Sequence, residues 1–239
     1  MLINDATDLG PRQLTDPEPL ELSRELLDRL NTTRQAVLSA LTTGDPVYGV
    51  NTGMGAMSNV RLTEPEQRIH QHNLLLARAA GGEPWLPALE ARAVLVARLK
   101  TFLSGDAAVS PELCLQLVAL LNSGLTPAIP TRGAGSAGEI IPLAHAFGPL
   151  IGIGSYLVPP ASTSAPAVFA ADGVLPAFEL GPKEGISLLA GIPGAAGRAW
   201  LQVEVVRRLA DNLGLIAAGA IAVVGARRDP YNPLCGRGG

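Results

Sequence analysis

Apolar residues recur at helical spacing along most of this chain, and that periodicity restricts the possible folds more than any other feature. The spacing predicts helices in the segments 18–42, 64–80, 88–104, 111–122 and 183–226. Gly, Pro and Asn residues interrupt the pattern, as at Ser123-Gly124, where a C-terminal glycine is typical of a helix end. The sequence has no convincing run of alternating polar and apolar residues, so the pattern predicts an all-α fold.

The composition favours one sizeable domain. The chain has 239 residues, of which 47% are hydrophobic and only 16% are charged, and this is enough apolar material for a substantial core. We therefore predict a single helical domain over residues 1–239. Its loop-rich part covers residues 43–145, and its helical bundle covers residues 183–226.

No segment is typical of export or of membrane insertion. The first 14 residues lack the basic region and the apolar core of a signal peptide. The most apolar stretch, 213–226, is short and rich in Gly for a membrane span. Cys114 and Cys235 lie far apart without metal-ligand spacing, and the net charge of −3 gives no electrostatic reason to bind nucleic acid. We therefore expect a cytoplasmic protein with no metal, nucleic-acid or membrane partner.

The segment TRGAGSAGEIIPLAH, residues 131–145, places three glycines directly before an apolar run. Gly133, Gly135 and Gly138 permit positive φ angles and a close approach of the backbone. Pro142 suits the first turn of the following helix, where its missing N–H costs nothing. Two interpretations stay open at this point: an ordinary loop that enters a buried helix, or a backbone shaped to present its amides to a ligand.

Four segments, in this order, resemble the aromatic amino acid ammonia-lyase family, which includes histidine ammonia-lyase. They are YGVNTGMGA (48–56), NLLLARAAGGE (73–83), RGAGSAGEIIPLAH (132–145) and KEGISLLAG (183–191). A fifth segment, RDPYNPLC (228–235), is a weaker match to the family's Gln-Asp-x-Tyr-Ser-Leu-Arg-Cys. Family members are much longer than this chain. The resemblance therefore implies the family's helical bundle, truncated on the C-terminal side or present as half of a split protein.

The resemblance also indicates that the family's prosthetic group is missing. In the family the loop carries Ala-Ser-Gly, which cyclises and dehydrates to an electrophilic methylideneimidazolone. The flanking matches place Ser136, Ala137 and Gly138 on this triplet. An alanine methyl has no leaving group, so we expect no cofactor. A register shifted to 135–137 is the alternative, but it puts a Cβ where the family has glycine.

Other positions of the family's site are either replaced or retained. The Asn that supports the prosthetic group corresponds to Ala190, and the His of the ring-binding pocket corresponds to Arg78. In the fifth segment Arg228 replaces Gln, and Leu234 replaces Arg. The retained residues are Tyr48, which is the family's general base, Asn51, Asn73, Lys183, Glu184 and Tyr231.

These residues favour proton transfer on an activated substrate. A Tyr side chain, with a reference pKa of about 10, is too weak a base for an ordinary β-proton without the electrophilic ring. It can act on a proton next to a ketone or thioester. We therefore expect a cofactor-free lyase or cyclase for β-elimination or conjugate addition, including ring closure, on a small molecule. Tyr48 is the predicted general acid/base, and Tyr231 is a second proton carrier.

The resemblance further implies a set of substrate-binding residues. They are Asn51, Asn73, Arg78, Ser136, Ala137, Gly138, Glu184 and Arg228. The backbone amides of 136–139 are expected to stabilise an enolate oxygen. Arg78 faces either a substrate carbonyl or carboxylate, or a helix Glu, and His145 is read as a hydrogen-bonded core histidine.

Two other functions stay open. A non-catalytic subunit of an ammonia-lyase-like complex agrees with the lost triplet, but not with the retained Tyr48 loop. A true ammonia-lyase requires the shifted register. Because family members are homotetramers, the resemblance also implies a homodimer or homotetramer with active sites shared between subunits.

Overall fold

Helices form most of the computed structural model, which describes residues 1–15, 17–134, 138–158 and 167–232. The helices are α1 (Arg12–Thr15), α2 (Arg24–Thr43), α3 (Glu64–Leu76), α4 (Ala88–Leu103), α5 (Pro111–Asn122), α6 (Ile140–Phe147), α7 (Glu184–Leu189) and α8 (Pro193–Val223). The chain divides into two compact units, residues 1–199 and 200–239. The assignment of residues 1–239 to one domain stays a prediction.

Two pairs of short strands accompany the helices. β1 (Leu2–Ile3) runs parallel to β2 (Glu21–Leu22), and β3 (Ser155–Leu157) runs antiparallel to β4 (Val168–Ala170). The sequence pattern predicted no strands, because two or three residues are too few to produce a visible alternation. These strands tie loops together and leave the class helical.

The helix boundaries follow local signals. α5 coincides with the predicted segment, because Ser110 caps it, Pro111 occupies its first position and Gly124 follows its end with a φ of +72°. The predicted segment 183–226 contains two helices, since Gly191 takes a φ of +79° two positions before Pro193 begins α8. Gly and Pro therefore create the turn between α7 and α8.

The core of the first unit is built around α4. Most of its residues between Ala91 and Leu103 are buried, and the helix packs against α1, α5 and α6. The start of α8 approaches α4 closely: a Cβ on Gly197 would lie 2.7 Å from the Ala93 backbone. On the other side, α3, α6 and α7 pack on one another, and this helix group holds the candidate site.

In the second unit, residues 200–223 continue α8 and expose many large apolar side chains. Those exposed by more than half include Val203, Val205, Val206, Leu209, Leu213 and Ile216. A short 3-10 turn, Asp229–Tyr231, follows. No helix in the described residues combines the length and hydropathy that a membrane crossing needs.

Candidate active site

An apolar cavity of about 290 Å³ lies between α3, α6, α7 and the turn that precedes α8. Its lining residues are Met54, Leu74, Arg78, Gly138, Ile140, Ile186, Leu189, Ala190, Gly191 and Ile192. Each of the first four segments that suggested the family contributes to this lining. Segments far apart in the sequence therefore meet at a single cavity.

Arg78 is the one ionisable side chain among the described residues that line this cavity. Its Nη1 donates to the Leu74 carbonyl at 3.3 Å, and its Nη2 contacts the Met54 Sδ at 3.9 Å. No carboxylate within the described ranges forms an ion pair with it. The sequence left two partners open for Arg78, a substrate carbonyl or carboxylate and a helix Glu. Within the described residues, no helix Glu pairs with it.

Tyr48 belongs to the loop beside the cavity but does not line it. Its side chain is 55% exposed, and its hydroxyl oxygen accepts a hydrogen bond from the Gly55 N–H at 3.1 Å. The next residue faces the cavity wall: a Cβ on Gly49 would lie 3.3 Å from Met54 Cγ and 3.6 Å from Ile186 Cδ1. Tyr48 therefore lies one position before a residue that packs against two residues of the cavity lining.

Gln71 joins the Tyr48 loop to α7, and it was not among the site residues predicted from the sequence. Its buried side chain donates to the Gly49 carbonyl at 3.1 Å and accepts from the Ile186 N–H at 2.9 Å. Gly185 allows α7 to come this close, because a Cβ there would lie 2.9 Å from the Gln71 Cα. A polar residue on the helical face of Leu74 and Arg78 was the available signal.

Glu184 is buried in a polar cluster and does not line the cavity. One carboxylate oxygen accepts from the Ser110 N–H and hydroxyl at 2.8 and 2.5 Å, and it lies 3.5 Å from Arg34. The other oxygen accepts from the Gly181 N–H at 2.7 Å. Burial, followed by the charge of Arg34, lowers the pKa of Lys183, which donates to a backbone carbonyl. The structure gives Glu184 a role in joining α7 to the start of α5.

Glu139 and Arg98 fix the opposite wall. The Glu139 carboxylate accepts from the Gly194 and Ala195 N–H groups, both at 2.6 Å, in the first turn of α8. Arg98 donates to the Ala190 carbonyl and lies within 6 Å of two aromatic ring centroids. Burial lowers the pKa of Arg98 to about 10, against the opposing effect of the Glu139 charge. Together Gln71, Arg98, Glu139 and the Arg34–Glu184 pair form what we call the polar framework.

The two predicted Asn ligands differ in their surroundings. Asn51 is buried, accepts from the Val47 N–H at 2.6 Å and donates to the Leu41 and Asp45 carbonyls, so its amide organises its own loop. Asn73 is exposed on α3. Neither lines the apolar cavity.

The remaining predicted residues fall into three places. Gly138 lines the cavity with a φ of +72°, whereas Ser136 and Ala137 lie outside the described residues. Arg228 and Tyr231 belong to the second unit, where both are exposed. His145 is buried and donates to the Ala80 carbonyl at 3.2 Å, and burial lowers its pKa, as suits a core histidine.

Comparisons with known sequences extend over most of the chain. A profile of the family described as aromatic amino acid lyase matches residues 12–237. The tyrosine 2,3-aminomutase of Myxococcus fulvus is 33% identical over 214 residues, which are 89% of this chain and 40% of that protein. The probable histidine ammonia-lyase of Thermoplasma volcanium is 31% identical over 196 residues, or 82% and 39% of the two chains. The chain thus spans about 40% of the length of the curated relatives it matches.

The fold has a solved counterpart. The phenylalanine aminomutase of Pantoea agglomerans superposes with a TM-score of 0.82 at 24% identity, over 99% of this chain and 46% of that one. This likeness confirms the predicted all-α fold. The chain corresponds to less than half of the solved chain.

Proposed function

The chain belongs to the aromatic amino acid lyase family, as the sequence analysis predicted, and from this membership we propose a lyase or cyclase that acts without the family's prosthetic group. Its reaction is β-elimination, or the reverse conjugate addition, including ring closure, next to an activated carbonyl. Tyr48 is the general acid/base. The apolar cavity receives the substrate.

The residues around Gly138 do not fit a methylideneimidazolone. Ala137, at the centre of the triplet, carries no hydroxyl to leave as water. Ala190, which lines the cavity where the family has a supporting Asn, offers no polar side-chain atom. The proposed mechanism therefore does not use such a group.

One observation carries the proposal: the Tyr48 hydroxyl is held in place and remains exposed. The Gly55 N–H occupies a lone pair of the phenolic oxygen and leaves the phenolic hydrogen for transfer. Among the described residues, the Gly55 N–H is the one hydrogen-bond partner of this hydroxyl. A positioned side chain of this kind contributes about 10²- to 10⁴-fold to a reaction rate.

The backbone before α6 is the proposed source of electrostatic stabilisation. Gly138 lines the cavity two positions before α6 begins, and the first N–H groups of a helix lack intrahelical partners. In the proposed mechanism the amides of 136–139 bind the oxygen on which negative charge develops. Tyr48 moves the proton while these amides stabilise the enolate.

We further propose that the protein acts as a cytoplasmic homodimer or homotetramer. Support comes from the exposed apolar side chains of residues 200–223, which favour burial against another chain. Arg228 and Tyr231 then serve the site of a neighbouring subunit. Light scattering tests this assembly, and a monodisperse monomer at micromolar concentration would exclude it.

Tyr48→Phe tests the mechanism, with Tyr156→Phe as the matched control. The control hydroxyl is buried without a hydrogen-bond partner in the described structure, and Tyr156 does not line the cavity. Against a panel of small β-substituted and α,β-unsaturated ketones and thioesters, with and without a carboxylate, we expect Tyr48→Phe to lose about 10²- to 10⁴-fold in rate and the control to lose little. Full turnover by folded Tyr48→Phe would refute the mechanism.

Ser136→Ala and intact-mass measurement separate the alternatives. We expect the purified chain to show no loss of water and Ser136→Ala to remain active, because the turn supplies backbone amides. A dehydrated mass together with an inactive Ser136→Ala variant would establish the shifted register. Inactivity of the wild type toward the whole panel would favour the non-catalytic subunit.

A further inference from the structure

We propose that Arg78 selects a substrate with a carboxylate attached to a small apolar body. The inference rests on the proposed function in one respect, since it takes the apolar cavity to be the substrate site. It goes beyond that function by assigning the chemical class of the ligand. The resemblance left this open, because Arg78 stands where the family has a His.

The lining of the cavity favours a ligand that carries a charged group. Every other lining residue is apolar or glycine. A guanidinium has five N–H donors, and Arg78 uses them on one backbone carbonyl at 3.3 Å and one thioether sulfur at 3.9 Å. A thioether is a weak acceptor, so several donors remain for a ligand.

Protein anions do not compensate this charge. No Asp or Glu in the described ranges forms an ion pair with Arg78, whereas the more exposed Arg68, on α3, pairs with Glu64 and Glu179 at 3.3 and 3.8 Å. Burial, followed by the charge of Arg78, lowers the pKa of His70, which also lies on α3. An otherwise apolar lining gives a cation no partner for its charge, and the planar guanidinium matches a carboxylate in two parallel hydrogen bonds.

The size and position of the cavity narrow the ligand further. A volume of about 290 Å³ lies at the lower end of the range for ligand sites and favours a small substrate. The Met54 side chain contacts the Arg78 guanidinium and also lies beside Gly49, in the Tyr48 loop. The carboxylate is thus bound on the side of the cavity that adjoins the Tyr48 loop.

A pair of probes of equal shape tests the inference by calorimetry: 3-phenylpropanoate and its uncharged amide. We expect wild type to bind the carboxylate about 10- to 100-fold more tightly, as a charged hydrogen-bonded pair provides. Arg78→Gln should remove this preference, and Arg78→Lys should retain part of it. Arg68→Gln is the matched control, since it removes an arginine of α3 that lies outside this cavity.

Equal affinity of wild type for the two probes would overturn the inference, as would failure to bind either at millimolar concentration. A preference that persists in folded Arg78→Gln would also overturn it. If Arg78→Gln does not fold, the wild-type comparison and Arg78→Lys still decide. Tyr48→Phe should keep the preference for carboxylate while losing turnover. The binding inference and the catalytic proposal can therefore fail separately.

Discussion

Glu184 and Arg78 both come from segments that resembled the family, but their surroundings differ. The Glu184 carboxylate is 1% exposed, accepts three hydrogen bonds and pairs with Arg34. Arg78 is half-buried, and within the described part of the chain its guanidinium has two hydrogen-bond partners, a carbonyl and a sulfur. The difference teaches that a motif residue with a complete set of protein partners stabilises the fold, whereas one with an incomplete set is available to a ligand. Removing each residue should separate stability from binding.

Glu184→Ala should have the largest effect on stability. It leaves Arg34 buried without its anionic partner, and breaking such a pair costs about 3–5 kcal/mol. Urea unfolding followed by circular dichroism measures the loss. Glu179→Ala is the control, because that carboxylate is exposed and should change the unfolding free energy by less than about 0.5 kcal/mol. Wild-type stability in Glu184→Ala, combined with lost probe binding, would return Glu184 to the substrate site.

Gly185→Ala should come next, with a loss of about 1–3 kcal/mol from overpacking α7 against α3. The added methyl would meet the Gln71 backbone and disturb the hydrogen bonds that position the Tyr48 loop. Gly82→Ala is the matched change, since a Cβ on Gly82 meets nothing within 4 Å, so the unfolding free energy should change by less than about 0.5 kcal/mol. If the two variants have equal urea midpoints, the close approach of α7 to α3 does not make position 185 sensitive to an added methyl group.

Glu139→Gln should cost about 1 kcal/mol, because a neutral amide leaves one acceptor for two N–H groups at the start of α8. Its thermal midpoint, measured beside Glu90→Gln, checks this. Glu90 pairs with Arg198 at 2.8 Å in a half-exposed bridge and should contribute less. If the thermal midpoint falls further in Glu90→Gln than in Glu139→Gln, the Glu90–Arg198 ion pair anchors α8 more strongly than Glu139 does.

Arg78→Gln should have the smallest effect on folding, below about 0.5 kcal/mol, because its protein contacts are few and weak. The same urea titration measures it, with Glu184→Ala as the opposite extreme. A loss comparable to that of Glu184→Ala would place Arg78 in the polar framework and remove the contrast between the two residues.

Local patterns allowed prediction of the helices, and long-range contacts explain what was missed. The limits of α5 were predictable because Ser110, Pro111 and Gly124 act within a few residues of the helix. The surroundings of Glu184 were not, since its partners Ser110 and Arg34 lie 74 and 150 positions earlier in the sequence. Arg78 was identified because it departs from a family pattern. The roles of the predicted site residues stay predictions.

The hydrogen bonds from Gly194 and Ala195 to Glu139 have a consequence for amide exchange. The first N–H groups of a helix ordinarily have no intrahelical acceptor and exchange rapidly with solvent. Here both donate to a buried carboxylate that directly follows the cavity-lining Gly138, so they exchange only when that carboxylate withdraws. Their deuterium uptake therefore reports local opening of the Gly138–Glu139 backbone. The exchange rates of two amides more than 50 positions after Glu139 in the sequence therefore measure how often that backbone opens.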